Sequence, residues 1–482
     1  MKVLFVTSEV ATVYKLGGLG DVSYSLPAAL KRLGVDVRVA MPYYVRAKLH
    51  KPAKCVGPLA VSWDGRRELV FVFEGRLADT HVPLLLFRHP ILNEYRGDKE
   101  MDSATRFAFF CQAVATFITV EAMKGERFDI IHCNDWHTSL LPLLLGESPK
   151  VFFRNGHAHA AILPRETLAA RAVRSILTIH NPAYHGTTGK KLIKKIALSA
   201  RQFHVLGDGG RPYINLLREG IAYADMITTV SPTFAKEMLG ANYGPHVTAI
   251  LKKRKDRLIG IINGLDDQLW KPDYHIRNAQ NAKKEIKSHL RETLGLPDRA
   301  VPVFGFVGRL DRNQKGLDIL LPAVQEFLKR GAIQLVLLGT GAPAVVREIE
   351  NIAAEYRDAF AFVHTFDERL ARRIYAGSDC LLVPSKYEPC GLTQMIAMRY
   401  GTIPLVRKTG GLADTVDDSR TGFVFDRYSA EALGTALSRV IACWHDPGRW
   451  VRMMASGMRE DFSWNRSARM YRALYNQLAS AS

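Results

Sequence analysis

The chain has no C-x-x-C pair among its six cysteines, Cys55, Cys111, Cys133, Cys380, Cys390 and Cys443. That absence argues against a zinc ribbon or a thioredoxin-type site. Cys133 ends a strand-like run and Cys380 opens one, so both are expected as buried free thiols in a reducing cytosol. No apolar run approaches the roughly 18 residues of a membrane-spanning helix, so no membrane segment is expected. The apolar start from Met1 to Ser8 is too short for a signal peptide and lacks a cleavage site; a cytoplasmic location is the expectation. There is no H-E-x-x-H and no D-x-D pattern, so no metal site is expected. Low-complexity tracts and short-period repeats are also missing. Acidic residues are scarce: 47 Asp plus Glu face 66 Lys plus Arg, a formal net charge of +19. Such a balance favours anionic partners. The densest basic run is Lys252, Lys253, Arg254 and Lys255, followed by Lys190 and Lys191 with Lys194 and Lys195. Neither is interleaved with aromatics as a single-strand nucleic-acid platform would be. A solvated surface is expected for both, and no nucleic-acid partner.

What is present is ordinary globular composition. Of 482 residues, 47% are hydrophobic and 23% charged, which suits a folded chain of two to four domains at roughly 100–200 residues each. Short apolar runs alternate with helical patterns, the signature of parallel α/β architecture. Val3–Thr7, Val35–Met41, Phe128–Cys133, Ile176–Ile179 and Met226–Val230 are strand candidates. Leu69–Phe73 and Pro83–Phe87 suggest an antiparallel excursion within 56–88. Helices are expected over roughly 103–124 and from near Trp136. Residues 266–300 are polar, carry Pro272 and Pro297, and read as a connection with one helix around 281–294. A second series follows at Val301–Val307, Gln334–Leu338, Phe360–Val363, Cys380–Val383 and Thr402–Val406. The pattern predicts two doubly wound units and a terminal helix from about Phe462 to Leu478.

The chemistry-bearing residues fall just after these strands, where open α/β sheets bind ligands. Lys15 to Asp21 includes Gly17, Gly18 and Gly20 ahead of a helix. It reads either as a tight turn or as an anion cradle built from backbone amides. Its spacing matches neither G-x-G-x-x-G nor G-x-x-x-x-G-K-[ST]. In the second series Arg309 and Lys315 follow a strand; two cations there fit a diphosphate with little need for a metal, or are surface charge. Glu388 stands before Gly391, Leu392 and Thr393 at a helix start. It is either a capping acid or a carboxylate aimed at a sugar hydroxyl, with the three amides facing an anion. Thr409 to Asp414 repeats a Gly-Gly-Leu and reads as a packing turn. Asp135, with Trp136 and His137, and His180, with Asn181, end two further strands and point to a common cleft mouth.

Together these residues resemble the bacterial glycogen synthase and plant starch synthase family. The resemblance runs nearly end to end, through Lys15–Asp21, Asp135–His137, His180–Asn181, Ala224–Asp225, Thr228–Thr233, Asn263–Asp266, Glu388–Thr393, Thr409–Val416 and Asp461–Trp464. It implies a GT-B fold, two Rossmann-like domains facing across a deep cleft. The first would span 1–265, a nucleotide-sugar-binding domain 266–460, and a terminal helix 461–482 would cross back onto the first domain. It implies a retaining transferase that moves glucose from ADP-glucose to an α-1,4-glucan, with no cofactor or metal. Arg309 and Lys315 would hold the diphosphate, and Lys15, Gly17 and Gly18 would contribute from the first domain. His180 would contact the donor glucose and help stabilise charge near its anomeric carbon. Glu388 and Asn263 would line that sugar, and Asp21, Asp135 and Asn181 would support the pocket. No carboxylate stands out as a nucleophile, so front-face attack with a leaving-phosphate oxygen as base is expected.

Several positions depart from the family pattern. Arg309 to Lys315 is six steps where five is usual. Phe366 stands where some members stack a Tyr on adenine, and His185 replaces a common Gln. The segment 151–175 is longer and more basic than usual, and 88–104 is shortened. These leave UDP-glucose, another acceptor, or a non-catalytic homologue as alternatives.

Overall fold

Lys2–Val6 is almost entirely apolar because it becomes a strand covered on both faces, with Val3, Leu4, Phe5 and Val6 fully buried. The computed structural model describes residues 1–93, 100–146, 149–154, 157–162, 173–196, 202–208, 211–240 and 244–480. They form two compact units. The first comprises Met1–Val230, Ala235–Gly264 and Trp464–Ser482; the second comprises Ser231–Phe234 and Leu265–Ser463.

The strands of the first unit are β1 (Lys2–Val6), β2 (Asp36–Pro42), β3 (Lys54–Trp63), β4 (Arg66–Arg76), β5 (Pro83–Arg88), β6 (Ile130–Asn134), β7 (Pro149–Arg154), β8 (His157–Ile162), β9 (Arg174–Ile179), β10 (Thr187–Gly189), β11 (Leu206–Asp208), β12 (Arg211–Asn215), β13 (Met226–Thr229) and β14 (Leu258–Gly260). Nine form one sheet in the order β14-β13-β9-β6-β1-β2-β5-β4-β3. All neighbours in it are parallel except β4, which runs antiparallel to β3 and β5. The sheet therefore reverses its winding at β1, between β2 and β6. The terminal helix Trp464–Ser480 buries Trp464, Ala468, Tyr471, Tyr475 and Leu478 in this unit's core, a helical stripe. The basic, unusually long segment 151–175 and the shortened region 88–104 lie partly outside the described residues.

The second unit adds β15 (Val303–Val307), β16 (Gln334–Leu338), β17 (Phe360–Val363), β18 (Cys380–Val383), β19 (Ile403–Arg407) and β20 (Phe423–Phe425), all parallel, in the order β17-β16-β15-β18-β19-β20. Counted from its own first strand this is 3-2-1-4-5-6, the dinucleotide-fold order, with its switch point between β15 and β18. The helix Leu317–Lys329 shows why the layers close. Leu317, Leu320, Leu321, Val324 and Leu328 recur on one face and are buried against the sheet.

Two sequence expectations change. One helix, Ser103–Met123, is long and apolar enough to cross a membrane by length and composition, but 78% of its apolar window is buried inside the unit; it is a core helix of the sheet's cover. Near Trp136 a short 3₁₀ turn, Trp136–Thr138, precedes the helix Leu141–Gly146. The hydroxyls of Thr138 and Ser139 donate to the carbonyls of Asn134 (2.9 Å) and Trp136 (2.8 Å), competing with helical bonding.

Candidate active site

In the first unit the ends of β1, β6 and β9 are neighbours, so their loops meet. Of the two readings of the glycine-rich turn after β1, a tight turn or an anion cradle, the structure shows amides largely turned to an internal acceptor. That acceptor is the carboxylate of Glu9, which takes hydrogen bonds from the N–H groups of Leu16, Gly17 (3.1 Å) and Gly20 (3.0 Å). Burial raises the Glu9 carboxyl above its ordinary range, and those amides oppose the shift. Sequence reasoning passed over Glu9; its only signal was an acid between a buried strand and a glycine pair. Gly18 opens the helix Gly18–Arg32 with empty space where a side chain would stand. Lys15 reaches back to Asp21, Nζ to Oδ1 at 2.7 Å, at the exposed side of the turn.

Asp135 follows β6 with φ 55° and ψ −177°, a backbone region that favours glycine. Its Oδ1 accepts from the N–H of His180 (2.7 Å) and of Asn181 (3.3 Å), and its own N–H donates to the Thr178 carbonyl at 2.8 Å. Burial pushes this carboxyl up to about 7, against the pull of the two amides. His180 Nε2 lies 3.0 Å from Asn134 Oδ1. Asn134 Nδ2 is committed to the carbonyls of Val6 and His132, so its oxygen is an acceptor and His180 Nε2 carries the proton. Burial pushes His180 down to about 4. The ring is neutral near pH 7 and offers an Nδ1 lone pair and a dipole rather than a full charge. Asn181 Oδ1 accepts from Ala183 N–H at 3.0 Å, an Asx turn that shapes the loop. Asn263 is half-buried in the segment after β14. Asn215 caps the helix Leu216–Tyr223 by accepting from Arg218 N–H.

In the second unit the switch point brings Lys315 and Glu388 together. Lys315 Nζ donates to Glu388 Oε2 at 2.6 Å, and Ser385 Oγ donates to the same oxygen at 2.9 Å. Glu388 is 7% exposed. The loop bearing Lys315 is fixed by Gly316 at φ +73°, where an added Cβ would stand 2.1 Å from the Pro384 carbonyl oxygen. Gly410, at φ +44°, makes the same close approach to the Glu388 carbonyl, 2.0 Å for an added Cβ. The second Gly-Gly-Leu is thus a packing turn whose packing partner is the Glu388 loop. Arg309 remains 64% exposed, its Nη2 held 2.6 Å from Gln314 Oε1. Gly391 takes φ +73°, Leu392 is the N-cap, and Thr393 starts the helix Thr393–Arg399. Phe366, in the loop after β17, is 89% exposed. Asp414 accepts from Thr233 N–H (2.7 Å) and Oγ1 (2.6 Å), a structural role. Ser385, Gln314 and Asn134 were given no role of their own by sequence, because each acts through a partner remote in the chain or unremarkable locally. Among the described residues no group of three or more His, Cys, Asp or Glu side chains could hold a metal ion.

Comparison with known proteins identifies the family. Residues 2–253 match the family described as starch synthase catalytic domain, and residues 301–443 match glycosyl transferases group 1. The chain is 40% identical to a glycogen synthase of Anaeromyxobacter sp., over 100% of both chains. It is 36% identical to a glycogen synthase of Thermodesulfovibrio yellowstonii, covering 99% of this chain and 98% of that one. In structure it is similar to the catalytic domain of starch synthase IV from Arabidopsis thaliana, solved bound to ADP and acarbose, with a TM-score of 0.83, 30% identity and 99% of each chain covered.

Proposed function

The chain belongs to the family of glycogen and starch synthases, glycosyltransferases of the GT-B fold, and from that premise we propose that it extends α-1,4-glucan from ADP-glucose with retention of configuration. The observation that carries the proposal is the cluster at the second unit's switch point: Arg309, Lys315 and Glu388 where a doubly wound sheet binds nucleotides. The relative solved with ADP and acarbose supports an adenine nucleotide and a glucan-like acceptor.

The chemistry asks little else of the protein. The bond from the anomeric carbon to the diphosphate oxygen breaks, and a bond from an acceptor hydroxyl oxygen to that carbon forms. The acceptor proton passes to a departing phosphate oxygen, and ADP leaves. Negative charge grows on the diphosphate in the transition state, so Arg309 and Lys315 do the main electrostatic work. Glu388 positions the sugar by accepting from its hydroxyls. His180, neutral, contributes a hydrogen bond to the donor glucose, and Asp135 and Asn181 hold its loop. Within the first unit Lys15, Gly17, Gly18, Asp21 and Asn263 are the further donor-binding residues of this reading; within the second they are Gly391, Leu392 and Thr393, with Phe366 as the adenine stack. Two fixed cations serve in place of a metal.

The test incubates purified protein and glycogen primer with ADP-glucose or UDP-glucose, with EDTA throughout, and measures nucleoside diphosphate release, chain growth and the new anomeric linkage. ADP release with α-linked growth is expected. Turnover only with UDP-glucose overturns the donor assignment and favours the reading suggested by the six-step Arg309–Lys315 spacing. Loss of activity in EDTA overturns the metal-free account.

A further inference from the structure

At the opposite, amino-terminal edge of the first unit's sheet lies a cavity of about 490 Å³ lined by Arg174, Tyr223, Ala224, Asp225, Arg254, Arg257 and Leu478. Arg174 opens β9, Ala224 and Asp225 precede β13, and Arg257 precedes β14, so the cavity faces away from the loops that carry His180 and Asp135. The basic run singled out by sequence therefore has a second face. Its Lys252 and Lys253 are exposed, while Arg254 turns inward.

The arginines are held in place before any ligand arrives. Arg254 donates through Nη1 to the Ala222 carbonyl and through Nη2 to the Ala224 carbonyl. Arg174 Nη1 is 3.0 Å from Asp225 Oδ1, and Asp225 Oδ2 is anchored by Ser175 N–H at 2.8 Å and Ser175 Oγ at 3.0 Å. Burial and the nearby Arg257 both disfavour the charge on Arg254, so the two guanidinium groups feel each other. Three arginines against one aspartate leave two positive charges in the lining. A doubly charged anion would balance them, and a phosphomonoester carries about −1.5 to −2 near neutral pH. Arginine forks suit its oxygens. The volume lies within the roughly 300–1,000 Å³ of small-molecule clefts. That is more than a bare phosphate fills, and Tyr223, Ala224 and Leu478 supply an apolar wall for a small organic portion.

We propose that this cavity is a binding site for a small organic phosphomonoester, separate from the donor site and independent of the function proposed above. Fixed side chains lower the ordering penalty of binding, and a ligand bound only to the folded state raises stability with its concentration.

The experiment is thermal unfolding and titration calorimetry of the full chain in saturating ADP, which keeps the nucleotide site filled. The probes are ribose 5-phosphate, glycerol 3-phosphate and inorganic phosphate, with ribose as the uncharged control. At least one ester should raise Tm in a saturable way, and ribose should not. Arg257→Gln, at an exposed position that need not disturb folding, should weaken ester binding about tenfold or more. Lys315→Ala should leave it unchanged. No saturable shift with either ester, a shift that survives Arg257→Gln, or one lost in Lys315→Ala overturns the site. Binding of inorganic phosphate alone overturns the organic portion of the ligand.

Discussion

Replacing Lys315 with methionine separates what the residue does for the fold from what it does for the reaction. In the protein its ammonium is 2.6 Å from Glu388 Oε2, with side-chain exposures of 21% and 9%. Removing it leaves the Glu388 carboxylate with the Ser385 hydroxyl as its remaining hydrogen-bond donor at that oxygen. Leaving a largely buried charged group under-satisfied costs about 1–3 kcal/mol, which lowers Tm by roughly 2–12 °C for a domain of about 200 residues. The effect on turnover should be larger. Removing one preorganised partner of a developing negative charge slows kcat by about 10²–10³. The second substitution that distinguishes the two effects is Glu388→Gln. In the double variant neither group is charged, so the stability penalty should shrink while kcat stays low. Denaturant unfolding of the two single variants and the double, with ADP-glucose turnover of each, completes the cycle. A Lys315→Met protein that keeps kcat within about threefold, roughly 0.65 kcal/mol, sinks the diphosphate role. A double variant no more stable than Lys315→Met sinks the account of the pair.

Three other substitutions follow from the geometry. Phe366→Ala should raise KM for ADP-glucose roughly 5- to 150-fold, the range for loss of one base–aromatic stack, with Tm unchanged because the ring is 89% exposed; an unchanged KM removes the adenine contact. Glu9→Ala should destabilise the chain by about 1–3 kcal/mol in urea, since the amides of Gly17 and Gly20 lose their acceptor; unchanged stability would show that those amides find another. Asp135 ionises near 3.8 when unexposed to the fold and near 7 within it. Between those values the folded chain keeps a proton that the unfolded chain has released, so this residue's contribution falls as pH rises through the window and is fully lost above about 7. Asp135→Asn, which keeps an oxygen for the His180 and Asn181 amides, should gain stability relative to the parent as pH rises from 5 to 8; parallel pH profiles would refute the shift.

Much of the fold was legible because its strands are short apolar runs buried on both faces. Val303–Val307, Gln334–Leu338, Phe360–Val363 and Cys380–Val383 lie within two residues of the expected limits at every end. What escaped was short or locally ambiguous. β14 and β20 have three residues each, too few for periodicity to register, and are defined by pairing with β13 and β19. The segment Ser103–Met123 carries charge only at Arg106 and Glu121, one near each end, so its apolar middle reaches membrane-like hydropathy while it serves as a core helix. The candidate site residues stood out for another reason: within each unit a parallel sheet sends each strand's following loop to one edge, so residues just after its strands converge whatever the loop sequences.

The partners of those residues are another matter. Charge type and position suggested that Lys315 and Glu388 both belong to a donor site, but not that they bind each other at 2.6 Å. The distance follows from two backbone approaches that sequence cannot measure. Gly316 lets the Lys315 loop meet the Pro384 carbonyl, and Gly410 lets the second Gly-Gly-Leu turn press on the Glu388 carbonyl. Glu388 is clamped by backbone on one side and bonded to Lys315 on the other, so under the proposed function a donor diphosphate and its sugar would share two groups that already satisfy each other. Substrate binding is then an exchange within a prepaired site. Under that proposal the ion pair holds the two charges in a low-exposure setting until phosphate and hydroxyl partners take them over. Such a site loses little by reorganisation, because the groups are already oriented, and transition-state charge meets a cation that is already in place.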